Sequence, residues 1–209
     1  MIDPWWIKQL RRPLQQLAQV AIRLGLTANQ VTVGSFVVGM LAVPALAYEV
    51  YGWALLAILL NRVGDGLDGA IARIQGSTDA GGYLDISLDF IFYSAVPFGF
   101  LLADPLHHGV AAGLLMLTFM GSGATFLAFA VMAAKRGIEN PAYPNKSLHY
   151  LGGLTEGFET IVVFVLLCLL PQWFNLIAYV FATLCWITAL SRLYAGYRSL
   201  ECSDKSWSD

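Results

Sequence analysis

Four aspartates in a glycine-rich frame interrupt an otherwise apolar chain. They run Asp65-Gly-Leu-Asp68-Gly69-Ala-Ile-Ala72-Arg73, then seven residues, then Gly81-Gly-Tyr-Leu-Asp85-Ile-Ser-Leu-Asp89. Converging carboxylates repel unless a cation sits between them, and hard oxygen ligands suit Mg²⁺, Mn²⁺ or Ca²⁺. A charged side chain at mid-bilayer costs roughly 3 kcal/mol on insertion scales. Four acids beside long hydrophobic runs therefore need metal ions, hydrogen bonds or a polar cavity. The segment predicts a catalytic site at a membrane surface.

Helical spacing says how these acids are presented. Asp65 and Asp68 stand at i and i+3, and Asp85 and Asp89 at i and i+4, so each pair shares one helix face. The connection from Ile74 to Gly82 is short and rich in Gly, Ser and Asp. It predicts two antiparallel neighbouring helices whose carboxylates converge at similar depth. Gly66, Gly69, Ala70 and Ala72 strip one helix surface of bulk. That surface suits either close helix packing or the approach of a flat ligand. Arg73, one turn beyond Gly69, can meet a phosphate or pair with an aspartate.

The elements around the motif read as membrane helices. Of 209 residues, 57% are hydrophobic and only 12% charged, and the mean hydropathy is +0.64. Soluble domains carry about a quarter charged residues, so the composition predicts an all-α polytopic membrane protein. Six stretches approach the roughly 20 residues a span requires: Val31–Tyr51, Gly52–Ile74, Asp85–Ala103, Val110–Ala134, Tyr150–Leu170 and Trp173–Tyr194. In this six-span arrangement all 12 Lys and Arg fall on one side. The opposite connections, near Glu49, Asp104–Gly109 and Pro171–Gln172, hold none. Positive charge marks the cytoplasmic side, so both termini and the motif are expected there, in the cell (inner) membrane. Ahead of the first span, residues 4–24 place Trp6, Leu10, Leu14, Leu17 and Val20 at helical spacing against basic and amide residues. This is the pattern of an interfacial amphipathic helix, with Pro13 a point where it could bend or divide. No signal peptide is read, and no internal repeat. The chain reads as one domain over 1–209, with a helical core over 31–194 and a tail over 195–209. Three widely spaced cysteines give no metal or redox pattern, and Cys168 and Cys185 read as buried apolar side chains.

The aspartate segment resembles the signature of the CDP-alcohol phosphotransferases, also called CDP-alcohol phosphatidyltransferases. That signature is D-x-x-D-G-x-x-A-R, a spacer of usually eight residues, then G-x-x-x-D-x-x-x-D. Asp65, Asp68, Gly69, Ala72, Arg73, Gly81, Asp85 and Asp89 match it, with a spacer of seven, Ile74–Ala80. Thr27-Ala-Asn29-Gln-Val-Thr32 is similar to the family's T-P-N-x-x-T segment, with Ala28 in place of proline. The resemblance implies transfer of a substituted phosphoryl group from a CDP-alcohol to an acceptor alcohol, with release of CMP, in phospholipid biosynthesis. It implies two Mg²⁺ or Mn²⁺ ions held by Asp65, Asp68 and Asp85, and Asp89 as base, also able to touch a metal. Asn29, Gly69, Ala72, Arg73 and Gly81 would line the cytidine diphosphate site, and the family forms homodimers. An active site beside lipid favours CDP-diacylglycerol as the donor. No nucleic-acid partner is expected.

Other residues carry weaker signals. Glu156 and Glu159 precede or begin the fifth span, where they suit either acceptor recognition or a favourable helix-dipole position. Lys135 and Lys146 lie on the motif's side, as acceptor-phosphate ligands or as ordinary topogenic charges. His107 and His108 belong to the opposite loop and read as solvated. A divalent-cation transporter or channel is the alternative function, because intramembrane carboxylates also mark ion pathways. It requires acids spread through the membrane depth, whereas these gather at one end of their helices.

Overall fold

Caps and prolines set the helix boundaries in this chain. A computed structural model describes residues 3–136 and 155–205, with side chains over 13–136 and 155–201. Helix α1 (Asp3–Arg23) continues through Pro13 as one element. Thr27 then opens α2 (Ala28–Met40) with a reciprocal cap. Its hydroxyl accepts from Gln30 N at 3.3 Å, and its own N–H donates to Gln30 Oε1 at 3.0 Å. Pro44 lacks a backbone N–H and crowds the carbonyl one turn earlier, at Met40. The expected first span is accordingly split at Leu41 into α2 and α3 (Ala42–Ala47). The chain continues through α4 (Tyr51–Gln75), α5 (Asp79–Ala103), α6 (Pro105–Lys135) and α7 (Gly157–Leu169), then a 3₁₀ turn at Pro171–Trp173 and α8 (Phe174–Lys205). No strand occurs among the described residues.

Among the described residues, four helical segments are long and apolar enough to cross a membrane: Ala28–Ala47, Asp79–Ala103, Pro105–Lys135 and Pro171–Glu201. The sequence predicts six, and the difference has two physical sources. Helix α4 has 25 residues, ample length at about 1.5 Å per residue. Arg62, Asp65, Asp68 and Arg73, however, make its second half too polar. Helix α7 offers 13 described residues, about 20 Å against a hydrocarbon core of about 30 Å.

The apolar core joins Phe92, Val96 and Phe100 of α5 to Leu115 and Phe119 of α6, Phe164 and Leu167 of α7, and Phe174 and Phe181 of α8. Stacked rings extend it. Phe100 and Phe174 lie 4.4 Å apart, and His108 packs 4.7 Å from Phe174 with Nδ1 at 3.3 Å from the Phe100 carbonyl. His108 is thus a packed residue rather than a solvated one, while His107 is exposed. Cys168 and Cys185 are buried free thiols, as expected. Asp104 caps α6 by accepting from His107 N at 3.1 Å. That backbone donor, aided by the His107 ring, holds its carboxyl below the usual carboxylate range. The ionised cap therefore contributes at neutral pH, and its contribution is lost only as pH falls through this lowered value.

Helices α4 and α5 are not tightly packed against each other, contrary to the expectation of close neighbours. Each packs instead on α2 and α3, and the acidic faces look at one another across a cleft. Small residues permit this. A Cβ on Gly39 of α2 would stand 2.8 Å from Asn61 Cβ and Cγ of α4, and one on Gly99 of α5 would stand 2.8 Å from Leu46 Cβ of α3. On the outer side of α4 lies α1, where Ala18 and Ala21 pack with Ala70 and Ile71, and Leu14 meets Gly66. The α1 seam is therefore Leu14, Ala18 and Ala21. Leu17 and Val20 of the expected apolar stripe stay exposed.

The close approach at Gly39 gives a direct test. Gly34→Ala, in open space on the same helix, should raise stability by up to about 1 kcal/mol through helix propensity. Gly39→Ala should instead lose roughly 1–3 kcal/mol, because Asn61 must move. Thermal unfolding in detergent micelles reads both, and equal behaviour of the two variants would remove the tight α2–α4 contact.

Candidate metal centre

The site sits where α2, α4 and α5 meet. Gly76 closes α4 with φ +102°, and Thr78 caps α5 by accepting from Gly81 N at 3.1 Å. Only Gly76, Ser77 and Thr78 separate the two helices. This turn accommodates the seven-residue spacer and leaves Asp85 and Asp89 on the α5 face that looks toward Asp65 and Asp68. Together with Thr32, Ser35 and Phe36 of α2, and Asn61, Arg62 and Leu88, these aspartates line a small cleft.

Three of the acids form one group. Asp65, Asp68 and Asp85 each bring a carboxylate oxygen to within 4.8 Å of the others. Asp68 is only 5% exposed, and its Oδ2 is buried without a hydrogen-bond partner. A buried, unsatisfied carboxylate oxygen costs free energy that a cation would recover. This orphan, the all-oxygen donor set and the short mutual distances fit a hard divalent ion.

The fourth acid, Asp89, pairs with a residue the sequence reading counts only among the topogenic charges. Arg62, whose side chain is 13% exposed, pairs with Asp89, its Nη2 donating to Oδ1 at 2.7 Å. Nε donates to Asn61 Oδ1 at 2.8 Å and Nη1 to Tyr93 Oη at 3.1 Å. The guanidinium carbon lies 4.9 Å from the Phe92 ring centre and 5.2 Å from that of Tyr93. Asp65 Oδ2 is a looser partner at 3.6 Å from Nη1. Asn61 is itself anchored, Nδ2 donating to the Ser35 carbonyl at 3.0 Å. A sequence signal for Arg62 existed. An arginine three residues before an aspartate, in a helix this apolar, faces that aspartate.

The remaining expected residues are dispersed around the cleft. Asn29 is exposed at the start of α2, and its Oδ1 would be 2.9 Å from a Cβ on Gly81, so these two adjoin. Gly69 is met by nothing closer than Arg73 Nη1, at 3.4 Å from the place its Cβ would take. Arg73 is exposed and Ala72 half-buried. Gly66 and Ala70, by contrast, serve helix packing. Lys135 is exposed at the end of α6, and Lys146 lies outside the described residues.

A second cavity, of about 160 Å³, opens among α5, α6, α7 and α8. Phe90, Tyr93, Phe119 and Phe126 supply its aromatic walls, and Ser122, Thr155, Glu156, Thr160 and Arg192 its polar ones. Arg192 is only 8% exposed, and Nη1 reaches Ser122 Oγ at 3.3 Å. Glu156 and Glu159 also form a capping box on α7, with Glu156 N donating to Glu159 Oε2 at 3.1 Å. Tyr93 belongs to both places, lining the cavity and accepting from Arg62.

Comparison with known proteins agrees with this arrangement. Residues 25–190 match the model of the CDP-alcohol phosphatidyltransferase family. The inner membrane protein YnjF of Escherichia coli K12 is 51% identical over 201 residues, covering 96% of this chain and 98% of its own length. The archaetidylinositol phosphate synthase of Pyrococcus horikoshii is 29% identical, covering 92% and 95%. Among solved structures, the phosphatidylinositol phosphate synthase of Mycobacterium tuberculosis with CDP-DAG bound superposes with a TM-score of 0.73 at 20% identity, over 89% of this chain and 94% of that one. The same enzyme with manganese and citrate gives 0.71 at 22% identity, over 88% of each chain. At these identities the superpositions establish the fold. With the family model spanning most of its length, this multi-pass membrane protein belongs to the CDP-alcohol phosphatidyltransferase family.

Proposed function

We propose that this protein transfers a phosphatidyl group from CDP-diacylglycerol to an acceptor alcohol and releases CMP, as a step of phospholipid biosynthesis. The observation that carries the reading is the group of Asp65, Asp68 and Asp85, with its buried and unsatisfied Asp68 oxygen. These residues would hold two Mg²⁺ or Mn²⁺ ions. When bound, such ions neutralise the diphosphate charge and stabilise the departing CMP. Arg73, Gly69 and Ala72, with Asn29 beside Gly81, hold the cytidine diphosphate at the open end of the cleft. Asp89 accepts the proton of the acceptor hydroxyl as its oxygen bonds to phosphorus and the bond to CMP breaks. A cleft among apolar helices suits a donor with two acyl chains.

The second cavity supports an acceptor site beside the reacting centre. Glu156, Arg192 and the hydroxyls of Ser122, Thr155 and Thr160 offer both signs of charge and several hydrogen bonds. Glu159 contributes by holding the α7 cap. We further read six crossings, α4 and α7 included, with both termini and the site on the cytoplasmic side. The one-sided distribution of Lys and Arg supports this. Exposed Leu17 and Val20 suit α1 lying in the headgroup layer, and a homodimer follows from family resemblance. An ion pathway finds no support, because residues 52–60 of α4 and 90–103 of α5 contain no charged side chain.

Purified protein in detergent, given CDP-diacylglycerol, Mg²⁺ or Mn²⁺ and a panel of glycerol 3-phosphate, inositol, inositol phosphate and serine, should release CMP with at least one acceptor. Chelation with EDTA should abolish release. Silence across the whole panel, or release indifferent to EDTA, would overturn the reading.

Asp89→Asn should lower turnover by about 10²–10⁴-fold, the usual contribution of a general base, while CDP-diacylglycerol binding persists. Turnover at the wild-type rate would remove Asp89 from this role. Asp68→Asn should instead weaken Mn²⁺ binding by about tenfold or more, read by the electron paramagnetic resonance of free Mn²⁺.

A further inference from the structure

The cavity beside α7 and α8 is bounded by hydroxyls whose protons can be followed one at a time. Thr188 of α8 is fully buried and is not part of the cavity wall. We propose that Thr188 is the positioning residue that fixes Thr155 in that wall as a hydrogen-bond acceptor, so that the cavity recognises a hydroxyl or ammonium group of its ligand. The inference rests on the reading of this cavity as the acceptor site, and it adds which way its hydrogen bonds run.

A carbonyl oxygen can only accept, so the Thr188 hydroxyl gives its proton to the Leu184 carbonyl, 3.1 Å away. Its oxygen then faces Thr155 with lone pairs only. Both are used, Thr155 N donating at 3.1 Å and Thr155 Oγ1 at 3.0 Å. That backbone N–H precedes α7 and has no partner within the helix, so burial makes a partner obligatory. The two bonds pin the approach to α7 onto α8, at a position three residues after Cys185 and four before Arg192, both of which line the cavity. With its proton committed to Thr188, the Thr155 hydroxyl offers the cavity only lone pairs. Thr160, one turn into α7, is in the same condition, because its hydroxyl donates to the Glu156 carbonyl at 2.9 Å. Both threonines line the cavity. The Cys185 thiol, which also neighbours the Thr155 hydroxyl, is a weak donor that a stronger one displaces. The threonines of this wall therefore accept hydrogen bonds, and a ligand satisfies them with O–H or N–H groups.

Glycerol 3-phosphate, inositol, inositol phosphate and serine serve as probes, each titrated without donor lipid into the protein in detergent with Mn²⁺ present. The rise of the unfolding temperature with concentration gives a Kd for each. At least one should bind the wild type. For that compound Thr188→Val should raise Kd by about three- to tenfold, the usual contribution of one hydrogen bond. Thr155→Val should do the same, and the double variant should be no worse than Thr155→Val alone, because Thr188 acts through Thr155. Thr188→Ser keeps the hydroxyl and should restore the wild-type Kd. In turnover the loss should fall on the acceptor KM, with kcat and the donor KM kept. Losses that multiply in the double variant would give Thr188 a separate structural effect and overturn the proposal. So would an unchanged Kd in Thr188→Val. Thr155→Val retains the backbone bond to Thr188 and carries the test where Thr188→Val fails to fold, an unchanged Kd there being equally fatal. Binding of none of the four would remove the acceptor reading of the cavity, and this inference with it. Binding is read without turnover, so a probe that binds yet releases no CMP counts against the transferase reading alone.

Discussion

Like charges confined among apolar helices cannot be left uncompensated, and this constraint organises the molecule around its acidic end. Two ionised carboxylates about 5 Å apart repel by about 3 to 4 kcal/mol at an effective dielectric near 20. Bringing four together therefore needs positive charge from more than one source. Among the described residues the Arg62 guanidinium supplies part of it, paired closely with Asp89 and more loosely with Asp65. Asp65, Asp68 and Asp85 still bring carboxylate oxygens within 4.8 Å of one another, an arrangement that suits a hard divalent cation.

Helix packing keeps that deficit open. If α4 and α5 packed directly, their side chains would fill the space between the acids. Instead α2 and α3 contact both helices and hold them apart. Glycines at the α2–α4 and α3–α5 contacts bring the backbones close on one side so that a cleft survives on the other. The same contact reaches the site, because Asn61, beside which only a glycine fits at position 39, is the residue that receives Arg62 Nε. Core packing and site geometry here share residues, so they cannot vary independently.

Much of this was legible in the sequence, for reasons that are local. The i, i+3 and i, i+4 spacings of the aspartates, the Gly and Ser at the turn, and the low charge content each report on a few neighbouring residues. What escaped depends on contacts distant along the chain. Arg62 was counted with the topogenic charges although Asp65 follows it by one turn, because its closer acidic partner, Asp89, and Tyr93 lie 27 and 31 residues away. The packing of α2 and α3 on both α4 and α5 was hidden because it joins elements distant along the chain. His108 looked solvated because Phe174, which covers it, belongs to the last helix. Two of the six expected spans stand out less by length and apolarity for a different reason. Apolarity is the signal for a span, and the helix that carries the site gives up that signal in order to carry it.

The two cavities acquire a common logic through Tyr93. An acceptor alcohol must bring its hydroxyl to phosphorus while the rest of it stays clear of the metal group, which the donor diphosphate occupies. On the proposed reading, the polar cavity beside α7 and α8, walled in part by Ser122, Thr155 and Thr160, offers this separation. Tyr93 forms its wall and also receives Arg62, which in turn holds Asp89. A ligand in that cavity would therefore touch the same aromatic that receives Arg62, the partner of Asp89, so that on the proposed reading one side chain joins the two places.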